Sequence, residues 1–83
     1  MATSTLFLLM AQHDGKAVIP ISEVAKTHFE MTEEVFSRKI REGAILLPVI
    51  EMDDSRKSAR GVHLQDLAAY IDARRAEALK MVS

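Results

Sequence analysis

Residues 21–45, ISEVAKTHFEMTEEVFSRKIREGAI, constrain the fold more than any other part of the chain. Ile21, Val24, Ala25 and Phe29 recur at i, i+3, i+4 and i+8, the apolar face of one short helix, and Ser22 is the residue expected to cap it. Glu30 and Met31 fill a corner. Thr32 then caps a second helix, because its hydroxyl can accept a free N–H of the first turn. Glu33 and Glu34 stand where the helix dipole favours negative charge, and Gly43 stops the helix. Placed 100° apart, Val35, Phe36 and Ile40 face inward. Glu34, Ser37, Arg38 and Arg41 face outward, with Glu33 flanking them and Lys39 at the boundary. Two helices with so short a connection predict a helix-turn-helix unit, whose second helix is the one that enters the DNA major groove.

Eighty-three residues supply one domain, 1–83, with one modest core. No cysteine is present, which excludes disulfides and thiolate metal sites. His13, His28 and His63 form no i, i+4 pair and are read as structural or exposed, so neither metal nor cofactor is expected. Enzyme readings find little support. The three glycines make no phosphate loop, the pairs Glu33–Glu34 and Asp53–Asp54 do not face across a cleft, and no elbow presents a serine. The net charge of −1 is unevenly spread: residues 1–36 sum to −3 and residues 37–63 to +2. A local basic surface on a near-neutral chain fits selective nucleic-acid contact. LFLLMA near the N-terminus is far short of the ~20 residues of a membrane span and lacks signal-peptide flanks. A cytoplasmic, nucleoid-associated protein is expected.

The remaining segments complete a module around the pair. Thr3 or Ser4 can cap a helix over about 5–13 that is apolar all round. Such a helix is buried on several sides, by a partner subunit or by the monomer itself. Residues 16–20 read as a short extended segment. A strand is expected over about 47–52, with Pro48 pushing its start to an edge or bend. A polar loop over 53–59 follows, then a return strand over 60–64, so the hairpin forms a wing. Met10, Met31, Met52 and Met81 are assigned to packing, and His63 to a structural or capping place. A last helix over 65–80 packs its first half on the core through Leu67, Ala68 and Ile71, and its second half projects or meets a partner. The fold class is thus α+β, mainly α: a small winged helix-turn-helix with an apolar N-terminal helix, a two-stranded wing and a C-terminal helix.

The candidate DNA-binding residues are Thr32, Glu33, Glu34, Ser37, Arg38 and Arg41 on the second helix, and Ser55, Arg56, Lys57, Ser58 and Arg60 on the wing. Arginine pairs bidentately with guanine O6 and N7, and glutamate accepts from cytosine N4. Wing cations and hydroxyls suit phosphates or the minor groove. The plainer readings are a solvated helix face with i, i+4 pairs such as Glu34–Arg38, and a charged hairpin tip that keeps an edge strand soluble.

FLLMAQHDGKAVIP at 7–20 and ARGVHLQDLAAYIDARR at 59–75 resemble the pyocin activator protein family. The order of helix pair, REG turn, LP strand and polar loop agrees, and the likeness covers nearly the whole chain. The closing Asp66-Leu67-Ala68-Ala69-Tyr70-Ile71 is also similar to excisionase and MerR-type winged helices. The chain departs from that pattern at the corner, where Phe29-Glu30-Met31 replaces the usual glycine. The resemblance implies a transcriptional activator of phage-tail-like bacteriocin or prophage genes that binds double-stranded DNA upstream of them. A homodimer or cooperative oligomer is expected, with RNA polymerase as a further partner. The rival readings are an excisionase-like protein that bends DNA and a protein-interaction module that binds none.

Overall fold

A computed structural model describes residues 4–55 and 58–82. In chain order the elements are α1 (Thr5–Gln12), β1 (Val18–Pro20), α2 (Ile21–His28), α3 (Glu33–Arg41), β2 (Ile50–Glu51), β3 (Arg60–His63) and α4 (Leu64–Lys80). This is the small, mainly α winged-helix-like α+β architecture expected, with one addition. The strands form a three-stranded antiparallel sheet in the order β1-β3-β2. Ile19 pairs with Val62 and Pro20 with Gly61 on one side of β3, and Ile50 pairs with Gly61 on the other. The wing hairpin is therefore tied to the body by a strand from the N-terminal side of the chain. Pro20 is tolerated because β1 is an edge strand, where a missing N–H costs no ladder bond.

Local chemistry explains most element ends. Phe7 N–H donates to Ser4 Oγ at the start of α1, and Val35 N–H donates to Thr32 Oγ1 at the start of α3. Gly43 (φ +79°) closes α3: its N–H donates to Ile40 O, and Ala44 N–H to Lys39 O. These are the paired bonds of a glycine-terminated helix. His63 caps α4, its Nδ1 accepting Gln65 N–H at 3.0 Å.

Two boundary expectations are corrected. Ser22 does not cap α2; the cap position is Pro20, without a side-chain bond, and Ser22 lies inside the helix. Pro20 leaves β1 in an extended conformation and α2 starts at once, because Ile19 and Ile21 are both needed in the core. The strand expected over 47–52 shrinks to Ile50–Glu51. Ile45 and Leu47 instead turn into the core along an irregular stretch, and Pro48 cannot donate to a ladder there.

The core lies between the helix pair, the sheet and the first half of α4. Phe36, Ile19, Leu64, Leu67, Val24 and Val62 are its largest fully buried side chains. Phe29 holds the corner of the pair, its ring centroid 4.8 Å from Phe36 and 5.6 Å from Tyr70. Separations of this size are favourable for tilted aromatic pairs. At the corner itself, Glu30 adopts φ +52°. That is the left-handed conformation a glycine would take without a Cβ penalty, and holding Glu30 there costs about 1–2 kcal/mol. Glu30→Gly relieves the strain but adds freedom to the unfolded chain. A net gain of about 0.5–1 kcal/mol is expected in urea unfolding, and an unchanged or lower midpoint would contradict the strain.

The histidines pair in a way no sequence period shows. His13 is buried at the end of α1, with Nδ1 2.8 Å from Glu23 Oε2 and Nε2 3.0 Å from His28 Nε2. In the tautomer where His13 Nδ1–H donates to Glu23, its Nε2 is free to accept from His28 Nε2–H. Burial lowers the His28 pKa, the neighbouring His13 lowers it further, and Glu23 opposes the shift. A histidine whose folded pKa is depressed contributes stability above its unfolded value of about 6.5 and loses it as pH falls through the folded value. His28→Gln is therefore expected to flatten the dependence of the melting temperature on pH below about 6.5. An equally steep profile in the variant would contradict this assignment.

Of the two covers expected for α1, a partner subunit or the monomer itself, the monomer supplies only part. Leu9 is buried and Leu6 partly so, whereas Phe7, Leu8 and Met10 are exposed. α1 packs on α4, and among the described residues none covers its Phe7–Leu8 face. Of the methionines assigned to packing, Met31 does pack against the core, while Met10, Met52 and Met81 are exposed. As expected, α4 is buried in its first half and exposed over residues 72–82.

Candidate nucleic-acid interface

The outer face of α3 is set by the inner one. Phe36 is fully buried, with Val35 and Ile40 half-buried beside it, which turns Glu34, Arg38 and Arg41 to solvent. Glu33, Glu34, Ser37, Arg38 and Arg41 line a shallow hollow of about 400 Å³, and Arg60 of β3 closes it from the wing side. Six candidate residues from the two predicted segments are thus brought to one place. Arg60 is positioned there by β3, which is fastened on both sides by β1 and β2.

The electrostatics of the hollow are informative. Among the described residues the only ion pairs within 4 Å are Lys80–Glu77 and, when His13 is protonated, His13–Glu23. Arg38, Arg41 and Arg60 therefore make none, and the i, i+4 pair Glu34–Arg38 of the plainer reading is not formed. Three guanidinium groups converge with two carboxylates, a local balance of +1. Unpaired arginines keep their planar donor forks for an external acceptor.

The family of this chain can now be stated from its sequence as a whole. A family model described as pyocin activator protein PrtN matches residues 5–78. The chain belongs to that family. It is accordingly a regulator of pyocin genes, and the family is a regulatory one, not a family of enzymes. No curated protein and no solved structure matches the chain. No helix among the described residues is long and apolar enough to cross a membrane.

The other candidates are placed differently. Thr32 spends its hydroxyl on the α3 cap. Ser58 shapes the hairpin loop, its hydroxyl accepting Asp53 N–H at 2.8 Å and donating to Ala59 O. Ser55 N–H donates to Asp53 Oδ1 at 2.7 Å. Bonding from the Ser55 side chain, and then from its backbone, holds the Asp53 carboxyl below the usual carboxylate range. Asp53, Ser55 and Ser58 thus form the loop, a structural task that the composition of the tip did not reveal. Arg56 and Lys57 lie outside the described residues.

Two residues were missed by reading the sequence. Ser22, not needed as a cap, lines a second hollow of about 440 Å³ together with Glu33, Ser58 and Arg60. With Lys26, one turn further on, it also borders Thr32 and Glu33. A serine and a lysine at i, i+4 on the polar face of α2 were the available signal.

Proposed function

We propose that the protein regulates pyocin genes by binding double-stranded DNA upstream of them and activating their transcription. α3 enters the major groove and the hairpin lies along the adjacent backbone. The observation that carries this reading is the convergence of Arg38 and Arg41 with Arg60, none of them in an ion pair among the described residues, in one open hollow at the outer face of α3, the second of two short helices joined by a tight corner. Arg38 and Arg41 sit one turn apart, so both reach base edges from the same side. Ser37 lies between them for a base or phosphate. Glu33 and Glu34 offer acceptors for cytosine N4 and discourage close approach of phosphates elsewhere. Ser22 and Lys26 suit the backbone contacts that the first helix of such a pair makes. One module of this size reads few base pairs, so a second copy is part of the proposal. RNA polymerase is the further partner of an activator.

Arg38→Ala combined with Arg41→Ala tests this. Each base-contacting arginine is worth about 1–3 kcal/mol, so the pair should weaken binding to upstream DNA by at least about 30-fold. Both residues are exposed, so the far-UV spectrum should not change. Binding to upstream DNA that survives the double change would contradict the assignment of α3, and reporter activation that persists without any binding to DNA would favour a protein-interaction module.

A further inference from the structure

We propose that the exposed face of α1, flanked by the end of α4, is the surface on which a second copy of this chain docks. This names the contact behind the dimer proposed above, and it can be tested without DNA.

α1 carries no charged residue along Thr5–Gln12. It turns Leu6 and Leu9 towards the core and leaves Phe7 62% and Leu8 57% exposed, with Met10 beside them. α1 is held against α4, where the Thr5 hydroxyl donates to Asp72. Beyond that point α4 runs on with Leu79 exposed, followed by exposed Met81 and Val82. Monomeric proteins seldom leave large contiguous apolar patches open.

Three observations favour a second copy as the occupant. First, a two-fold contact joins a surface to itself, so the surface must be self-complementary. An uncharged apolar helix meets that demand, whereas a patch of one charge sign would repel its own image. Second, Phe7, Leu8 and Met10 on α1, with Leu79, Met81 and Val82 further along the chain at the end of α4, together expose roughly several hundred Å² per copy, the order of the ~800 Å² that each partner gives to a standard interface. Third, the face is built from α1 and α4, while the arginine hollow is built from α3 and β3. Docking through the first leaves the second open in both copies.

The test is the solution mass of the full chain by light scattering across a concentration series. The expected value is twice the 9.3 kDa chain mass, falling to a single chain in the variant Phe7→Glu with Leu8→Glu. Met52→Glu, an equally exposed apolar site on the hairpin, should leave the dimer intact. A wild type that stays at the single-chain mass overturns the proposal and leaves α1 for a different partner. So does a double variant that remains dimeric, or a Met52→Glu protein that dissociates equally. Hydrogen exchange on the wild type gives a check that depends on no variant folding. Amides of residues 5–12 should exchange more slowly at high concentration while those of 50–63 do not, and the absence of that difference overturns the proposal. Failure of DNA binding would leave all of these outcomes unaffected, so the two readings fail separately.

Discussion

Replacing Phe36 by alanine is expected to destabilise the protein by about 3–5 kcal/mol, the range seen when a buried aromatic is truncated. Phe36 is fully buried and is the largest side chain of that kind among the described residues. Its ring sits against Phe29, which in turn reaches Tyr70 of α4, so the cavity would open where α3, the corner and α4 meet. A domain of this size holds roughly 4–12 kcal/mol in total. The substitution would therefore take much of the stability, and at about 4–8 °C per kcal/mol the melting temperature should fall by well over 10 °C. Since Phe36 is the inward neighbour of Ser37 on α3, regulation should fail with folding. Thermal denaturation monitored at 222 nm checks this, and a loss of under about 1.5 kcal/mol, the cost of a tolerated core swap, would mean that Phe36 is not at the centre of the core.

Gly61→Ala is expected to cost about 2–3 kcal/mol, as overpacking does. A Cβ at this position would stand 2.6 Å from Val18 Cγ1 and 2.7 Å from the Ile19 carbonyl oxygen. The valine methyl can be rotated aside, but the carbonyl belongs to β1 and cannot retreat without loosening its pairing with β3. β3 is the middle strand, so both neighbours would feel the shift. Arg60 is the adjacent residue, and its place at the rim of the arginine hollow depends on the same pairing. The variant should therefore weaken DNA binding as well as lower the urea midpoint. A midpoint within error of wild type would show that the strands are not so closely joined at Gly61.

Much of the helix pair was legible in the sequence, because each of its features is a short-range rule. The apolar spacing of α2, the Thr32 cap, the Gly43 stop and the inward turn of Phe36 all depend on residues within one or two turns of one another. The outward set of Ser37, Arg38 and Arg41 follows from the same 100° rotation. Arg60 was named from its place in the wing, but its closure of the hollow depends on a sheet that joins Val18–Pro20 to residues some forty positions later. A three-residue strand has too little period to announce itself, and its partner is not fixed by spacing. The same holds for His13 and His28, which meet through tertiary packing. Ser22 misled because its type suits a cap, whereas burial of Ile19 and Ile21 decided where α2 begins. For α1, periodicity could not tell covered faces from uncovered ones, since every face is apolar.

The central claim is that the unpaired arginines of the hollow, with the hairpin, bind DNA and prefer a sequence. Its most direct measurement is a fluorescence-anisotropy titration of wild-type protein with DNA from upstream of pyocin genes and with a scrambled duplex, repeated over a series of salt concentrations. If roughly five phosphates are neutralised per subunit, the logarithm of the affinity should fall against the logarithm of salt with a slope of about −4 to −5 per subunit. The upstream DNA should bind more tightly than the scrambled duplex throughout the series. Affinity that does not change with salt, or that is equal for the two duplexes, would contradict the claim.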